Sequence, residues 1–172
     1  MFVAKELKDK NICEYLLYMW QVEDTIRAFG CDLSALDANY ISLFKYGEEE
    51  MKQLRAWYGY LIGMMKEEKV VESGHLQINK GSLSLLTDRH LELLKDPNEA
   101  DYHAAYYRAL PFIVELRAKG GQEKPELETC LEALYGAMVL RLKQQDMTPE
   151  TQKALTHISQ LLALLAKEYK NA

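Results

Sequence analysis

From Asn11 to Tyr169 the apolar residues recur at spacings of three and four, and this period is interrupted only by short stops built on Gly, Pro, Asn or Asp. A pattern of that period places its apolar side chains along one face of a helix, and the face can be buried only against other helices. No stretch sustains the alternation of a half-buried strand, and Val and Ile are few beside Leu. The punctuation agrees with the period. Asn11 followed by Glu14 reads as a capping box for a first helix that runs to about Phe29, where Gly30 supplies a left-handed stop. A short helix follows Asp32 or Ser34 and ends near Gly47. The run "EEEMKQLRAWYGYLIGMMKEEK" opens a third with three acids suited to a positive helix N-terminus, in a region closed by Gly74.

A fourth helix lies between Leu76 and Leu94, with Gly81-Ser82 weakening its start, and Asp96-Pro97 breaks the chain after it. Asn98 caps a fifth, which Gly120-Gly121 ends; Pro125 and Thr148-Pro149-Glu150 start a sixth and a seventh. Connections are short, and no repeat or linker-like tract occurs. The expectation is one all-α domain over residues 1–172, an antiparallel bundle of about six or seven helices. The segment "YHAAYYRALPFIVELR" carries Pro111 inside an otherwise apolar helix. Proline lacks an amide proton and crowds the carbonyl four residues back, here that of Tyr107, so the fifth helix is expected to kink or break at this point. It is apolar in most directions, which points to a central position.

Composition narrows the function classes. A net charge of −5, with acids and bases interspersed, offers no basic face for nucleic acid and no polybasic membrane patch. No apolar run approaches membrane-spanning length, and the charged start "MFVAKELKDKNICEYLL" is unlike a signal peptide, so a cytoplasmic location is expected. Cys13, Cys31 and Cys130 are widely spaced without a C-x-x-C, which reads as buried reduced thiols. Of the residues three before each histidine only Glu72 is a carboxylate, so a di-metal site of the Glu-x-x-His kind is not written here. No zinc-protease, nucleophile-elbow, phosphate-loop or dinucleotide motif is present, and neither metal nor cofactor is expected.

What stands out is polar residues on apolar faces. Glu23 falls within the stripe of Ile12, Leu16, Met19 and Ile26, with Arg27 one turn on. His90 lies among Leu83, Leu86 and Leu94, with Asn79 on the same face. Arg117 continues the line of Tyr106, Leu110 and Ile113, and Arg141 that of Leu127, Leu134 and Met138. Glu23, Arg27, Asn79, His90, Arg117 and Arg141 thus form a candidate polar cluster. Three readings of it stay open: arginine stems reaching water, a buried network from Glu23 to Arg27 or Arg141, or the polar floor of a small-molecule pocket. The last helix is apolar on two sides, with Leu155, Ile158, Leu162, Leu165 and Tyr169 on one and Leu161 and Leu164 on the other. That calls for a central position or for a second copy of the chain.

At "NICEYLLYMWQVED", "GHLQINK", "AAYYRALPFIVELR", "ETCLEALYG" and "ISQLLALLAKEY" the chain resembles a Bacteroidetes family of uncharacterised proteins, a domain of unknown function. The resemblance implies an all-helical bacterial protein and assigns no activity, ligand or catalytic residue. The leading expectation is a non-catalytic cytoplasmic protein acting through protein contacts, above all self-association. The alternative is a small-molecule-binding protein or enzyme with an internal polar pocket.

Overall fold

The structure, a computed structural model, describes residues 1–119 and 124–171. Among these there are eight α-helices, one 3-10 turn and no strand. The helices are α1 (Phe2–Lys10), α2 (Ile12–Ala28), α3 (Leu33–Asn39), α4 (Glu48–Glu67), α5 (Gln77–Lys95), α6 (Ala100–Lys119), α7 (Glu126–Leu142) and α8 (Pro149–Lys170), with the 3-10 turn at Ile41–Leu43. The all-helical class agrees with the sequence; the count exceeds six or seven because of α1. That segment is short, polar and poor in helical period. Among the described residues no helix is long and apolar enough to cross a membrane.

The chain contacts group into two compact units, Met1–Glu6 with Tyr18–Gly81, and Leu7–Leu17 with Ser82–Ala172, so that α1, α2 and α5 each contribute to both. In the first unit α2 ends as expected. Gly30 and Cys31 are both left-handed (φ 66 and 53), and the Cys31 amide bonds back to the Ile26 carbonyl at 3.0 Å. Asp32 caps α3 by accepting from the Ala35 amide at 2.9 Å. α3 packs on α4, around a core that includes Leu36, Ile41, Leu54, Tyr58 and Met65.

In the second unit α6, α7 and α8 pack against one another, with Ile113, Cys130, Leu131, Ile158 and Leu161 fully buried. Of the two readings of α8, a central position accounts for its apolar sides: Leu155, Ile158, Leu161, Leu162 and Leu165 are buried and Leu164 half-buried, with α6 and α7 packed against the helix. The expected break at Pro111 is corrected. α6 runs unbroken through Pro111. Pro111 faces outward and Tyr107 is 67% exposed, so the carbonyl that loses its helical partner can bond water instead. The greasy outward face of α6 therefore stays uncovered in the monomer. The expected stop at Gly120-Gly121 falls outside the described residues.

Candidate functional site

Glu23 is fully buried on α2, as its place in the apolar stripe required. A carboxylate removed from water must be given donors, and three converge on it. Its Oε2 accepts from His75 Nδ1 at 2.6 Å. Its Oε1 accepts from the Leu76 amide at 3.0 Å and from Asn79 Nδ2 at 2.7 Å. The His75 ring lies flat on the Trp20 indole, centroids 4.3 Å apart and planes 16° from parallel. Asn79 is buried too, and its Oδ1 has no hydrogen-bond partner.

Arg27 does not pair with Glu23. Its guanidinium donates to the carbonyls of Val70 and Gly74 and to Asp24, the last at 2.7 Å. The loop between α4 and α5 is thereby held to α2 twice, by Arg27 on its carbonyls and by Glu23 on its last residues. One consequence is a staple that fixes helix register. The other is a histidine whose Nδ1 is tied to a carboxylate while its side chain keeps 29% exposure, the orienting half of a general-base pair. Among the described residues no group of three or more His, Cys, Asp or Glu side chains is placed to hold a metal ion.

His90 and Arg117 meet in the second unit, around a residue the sequence reading did not single out. His90 is 3% exposed, and its Nδ1 lies 2.5 Å from the Tyr102 hydroxyl. With that hydroxyl donating, the ring proton sits on Nε2, which faces Glu126 Oε2 at 3.8 Å, too far for a hydrogen bond. Glu126, in the first turn of α7, accepts from the Tyr106 hydroxyl at 3.0 Å, and its Oε1 lies 3.7 Å from Arg117 Nη1. Burial holds His90 below its ordinary value of 6.5, against the opposing pull of Glu126. Burial, with the bond to Glu126 behind it, pushes the Tyr106 phenol up to about 12.

The three cysteines are free and buried. Burial pushes Cys13 and Cys130 up to about 12, so neither offers a thiolate at neutral pH. The second cluster is a packed polar knot rather than an activated nucleophile.

Its histidine gives a pH signature. A histidine held neutral in the folded state binds its proton more readily when unfolded, so stability falls as pH drops below about 6.5, by at most about 1.4 kcal/mol per pH unit. The groups facing His90 are Tyr102, Tyr106 and Glu126, and only Glu126 opposes the trend. Urea unfolding at pH 7.5 and 5.5 should show a loss in the native protein that His90→Gln reduces; an identical loss in both would assign it to other groups.

Arg141 is exposed, on the edge of an open groove of about 840 Å³ between α7 and α8. A second, half-enclosed hollow of about 380 Å³ lies between α6, α7 and α8. The six residues expected to form one cluster are thus distributed. Glu23 and Asn79 bond directly in the first unit, Arg27 serves the neighbouring loop, His90 and Arg117 flank Glu126 in the second unit, and Arg141 belongs to neither cluster.

Residues 1–172 match the family described as Domain of unknown function (DUF4924). The chain belongs to the DUF4924 family. No curated protein and no solved structure matches this DUF4924 chain. Membership brings no activity with it, and the function of the DUF4924 chain is unknown, so a functional reading rests on the molecule's own surfaces and hollows.

Proposed function

We propose that this protein is non-catalytic and acts in the cytoplasm by self-association, two copies meeting through the outward face of α6. The observation that carries this reading is an exposed stripe at spacings of three and four, Ala104, Tyr107, Pro111, Val114 and Ala118. Its two largest members, Tyr107 and Val114, are 67% and 55% exposed. Such spacing is that of a helix seam awaiting a partner.

The stripe is self-complementary. Stepping 100° per residue puts Arg108 and Glu115 on one flank of Pro111 and Tyr107 and Val114 on the other. A two-fold axis crossing the helix at Pro111 sets Arg108 beside the partner's Glu115 and Tyr107 over the partner's Val114, with the small Ala104 and Ala118 facing at the ends. This is an isologous contact. Arg108 makes no ion pair among the described residues, and Glu115 pairs only with the exposed Lys119. The polar clusters around Glu23 and Glu126 then serve to hold helix register. The burial of Glu23, Asn79 and His90, each bonded to a neighbouring segment, supports that role.

One helix pair buries an area at the small end of specific interfaces, so a dimer of micromolar affinity is expected. Sedimentation equilibrium should show concentration-dependent dimerisation. Tyr107→Glu and Arg108→Glu should each give a monomer, and Arg108→Glu combined with Glu115→Arg should restore the dimer. A native chain that is strictly monomeric at about 100 μM, well above a micromolar Kd, would overturn the reading.

A further inference from the structure

The polar knot around Glu126 reaches the outward stripe of α6 through two adjacent tyrosines. The Tyr106 hydroxyl is bonded to Glu126 Oε2 at 3.0 Å, and the Tyr106 ring lies 5.6 Å from that of Tyr107, centroid to centroid and tilted by 58°. Tyr107 is the exposed aromatic of the stripe. Where the Tyr106 ring stands therefore bears on how Tyr107 is presented.

The same Oε2 faces His90 Nε2 at 3.8 Å, and that nitrogen is buried without a hydrogen bond. A neutral N–H does not draw the carboxylate across the gap, because Tyr106 holds it and Arg117 flanks it. A protonated ring changes the balance. An unpaired buried cation is costly, and a charge-assisted hydrogen bond is about twice as strong as a neutral one. Oε2 comes within bonding distance of Nε2 by moving about 1 Å, and Tyr106 must follow that oxygen or release it. Either outcome shifts its ring against Tyr107. The groups around His90 do not take up the charge instead. It is faced by Tyr102 and Tyr106 of α6 and by Glu126 of α7, with Arg117 of α6 beside Glu126. Cys13 of α2 and Cys130 of α7 act on Tyr102, and burial pushes both thiols up to about 12.

We infer that self-association is switched by proton uptake at His90, relayed through Glu126 and the Tyr106 ring to Tyr107 in the α6 seam. The inference rests on the two-fold contact proposed above and supplies its regulation. Burial delays the uptake until pH falls below about 6.5, so the dimer weakens on acidification. The net charge of −5 by itself predicts the reverse, because acidification lowers the repulsion between copies.

Sedimentation equilibrium should give a dimer Kd at least about five-fold higher at pH 5.5 than at pH 7.5, and His90→Gln should remove that difference. In the monomeric Arg108→Glu variant, the NMR resonances of the Glu126 carboxyl carbon and the Tyr106 ring should follow the titration of His90. Linkage is reciprocal, so His90 should take its proton at higher pH in that monomer than in the native dimer. A native Kd that falls or stays constant on acidification would overturn the inference, as would a Glu126 resonance that does not move with His90; both measurements stand even if His90→Gln fails to fold. A native chain that is monomeric at both pH values overturns it as well. Resonances that still follow His90 in that case assign the failure to the α6 contact and not to the relay.

Discussion

Glu23→Ala is expected to lower the unfolding free energy by about 3–5 kcal/mol, the range seen when one partner of a buried charged pair is removed. The carboxylate is fully buried and holds three donors from one loop and the start of one helix, namely His75 Nδ1, the Leu76 amide and Asn79 Nδ2. Alanine leaves the amide and the Asn79 side chain, both buried, without an acceptor, and each orphaned group carries its own desolvation cost of about 1–3 kcal/mol. A native protein is typically stable by about 5–15 kcal/mol, so the variant would sit close to unfolding at room temperature. Its melting point should fall by about 10 °C or more. Glu23→Gln retains one acceptor oxygen and should cost less. Urea denaturation of the three proteins checks the order; a loss below about 1 kcal/mol for alanine would mean that water replaces the carboxylate and that the cluster holds nothing in register.

The inward placement of Glu23, Asn79 and His90 was legible in the sequence because each lies in phase with neighbouring apolar residues on one helix. Their partners were not, because period is a property of single helices. His75 stands in the loop before α5, where no phase exists, and only its nearness in sequence to Asn79 hinted at a shared target. Glu126 read as an ordinary acid in a helix's first turn, and Tyr102 as one more core aromatic; their convergence on His90 depends on how α5, α6 and α7 pack. The arginines were ambiguous for a different reason. A long stem can follow an apolar stripe while its head turns toward backbone carbonyls, as in Arg27, or toward water, as in Arg141. The fold class was the more legible property, since capping and period act locally, as at Gly30 and Asp32.

α6 shows where that legibility stops, and it yields the second large effect. Ile113 and Val114 are adjacent, similar and equally apolar, yet Ile113 is fully buried and Val114 is 55% exposed. Phase alone does not choose between them, because the helix is apolar on most faces and only packing against α7 and α8 selects the inner one. Ile113→Ala removes methyl and methylene groups from a close-packed layer and leaves a cavity, a change that costs about 2–5 kcal/mol. Val114→Ala removes methyl groups already largely in water, and its effect on monomer stability should stay within about 0.5 kcal/mol. The two variants should part again in association. Val114→Ala weakens the proposed two-fold contact with Tyr107 of the partner, whereas Ile113→Ala leaves the outer stripe intact. Chemical denaturation below the dimer concentration range, paired with sedimentation above it, separates these outcomes. Equal stability losses at the two positions would show that α6 is covered on its outer face, and would remove the surface on which self-association depends.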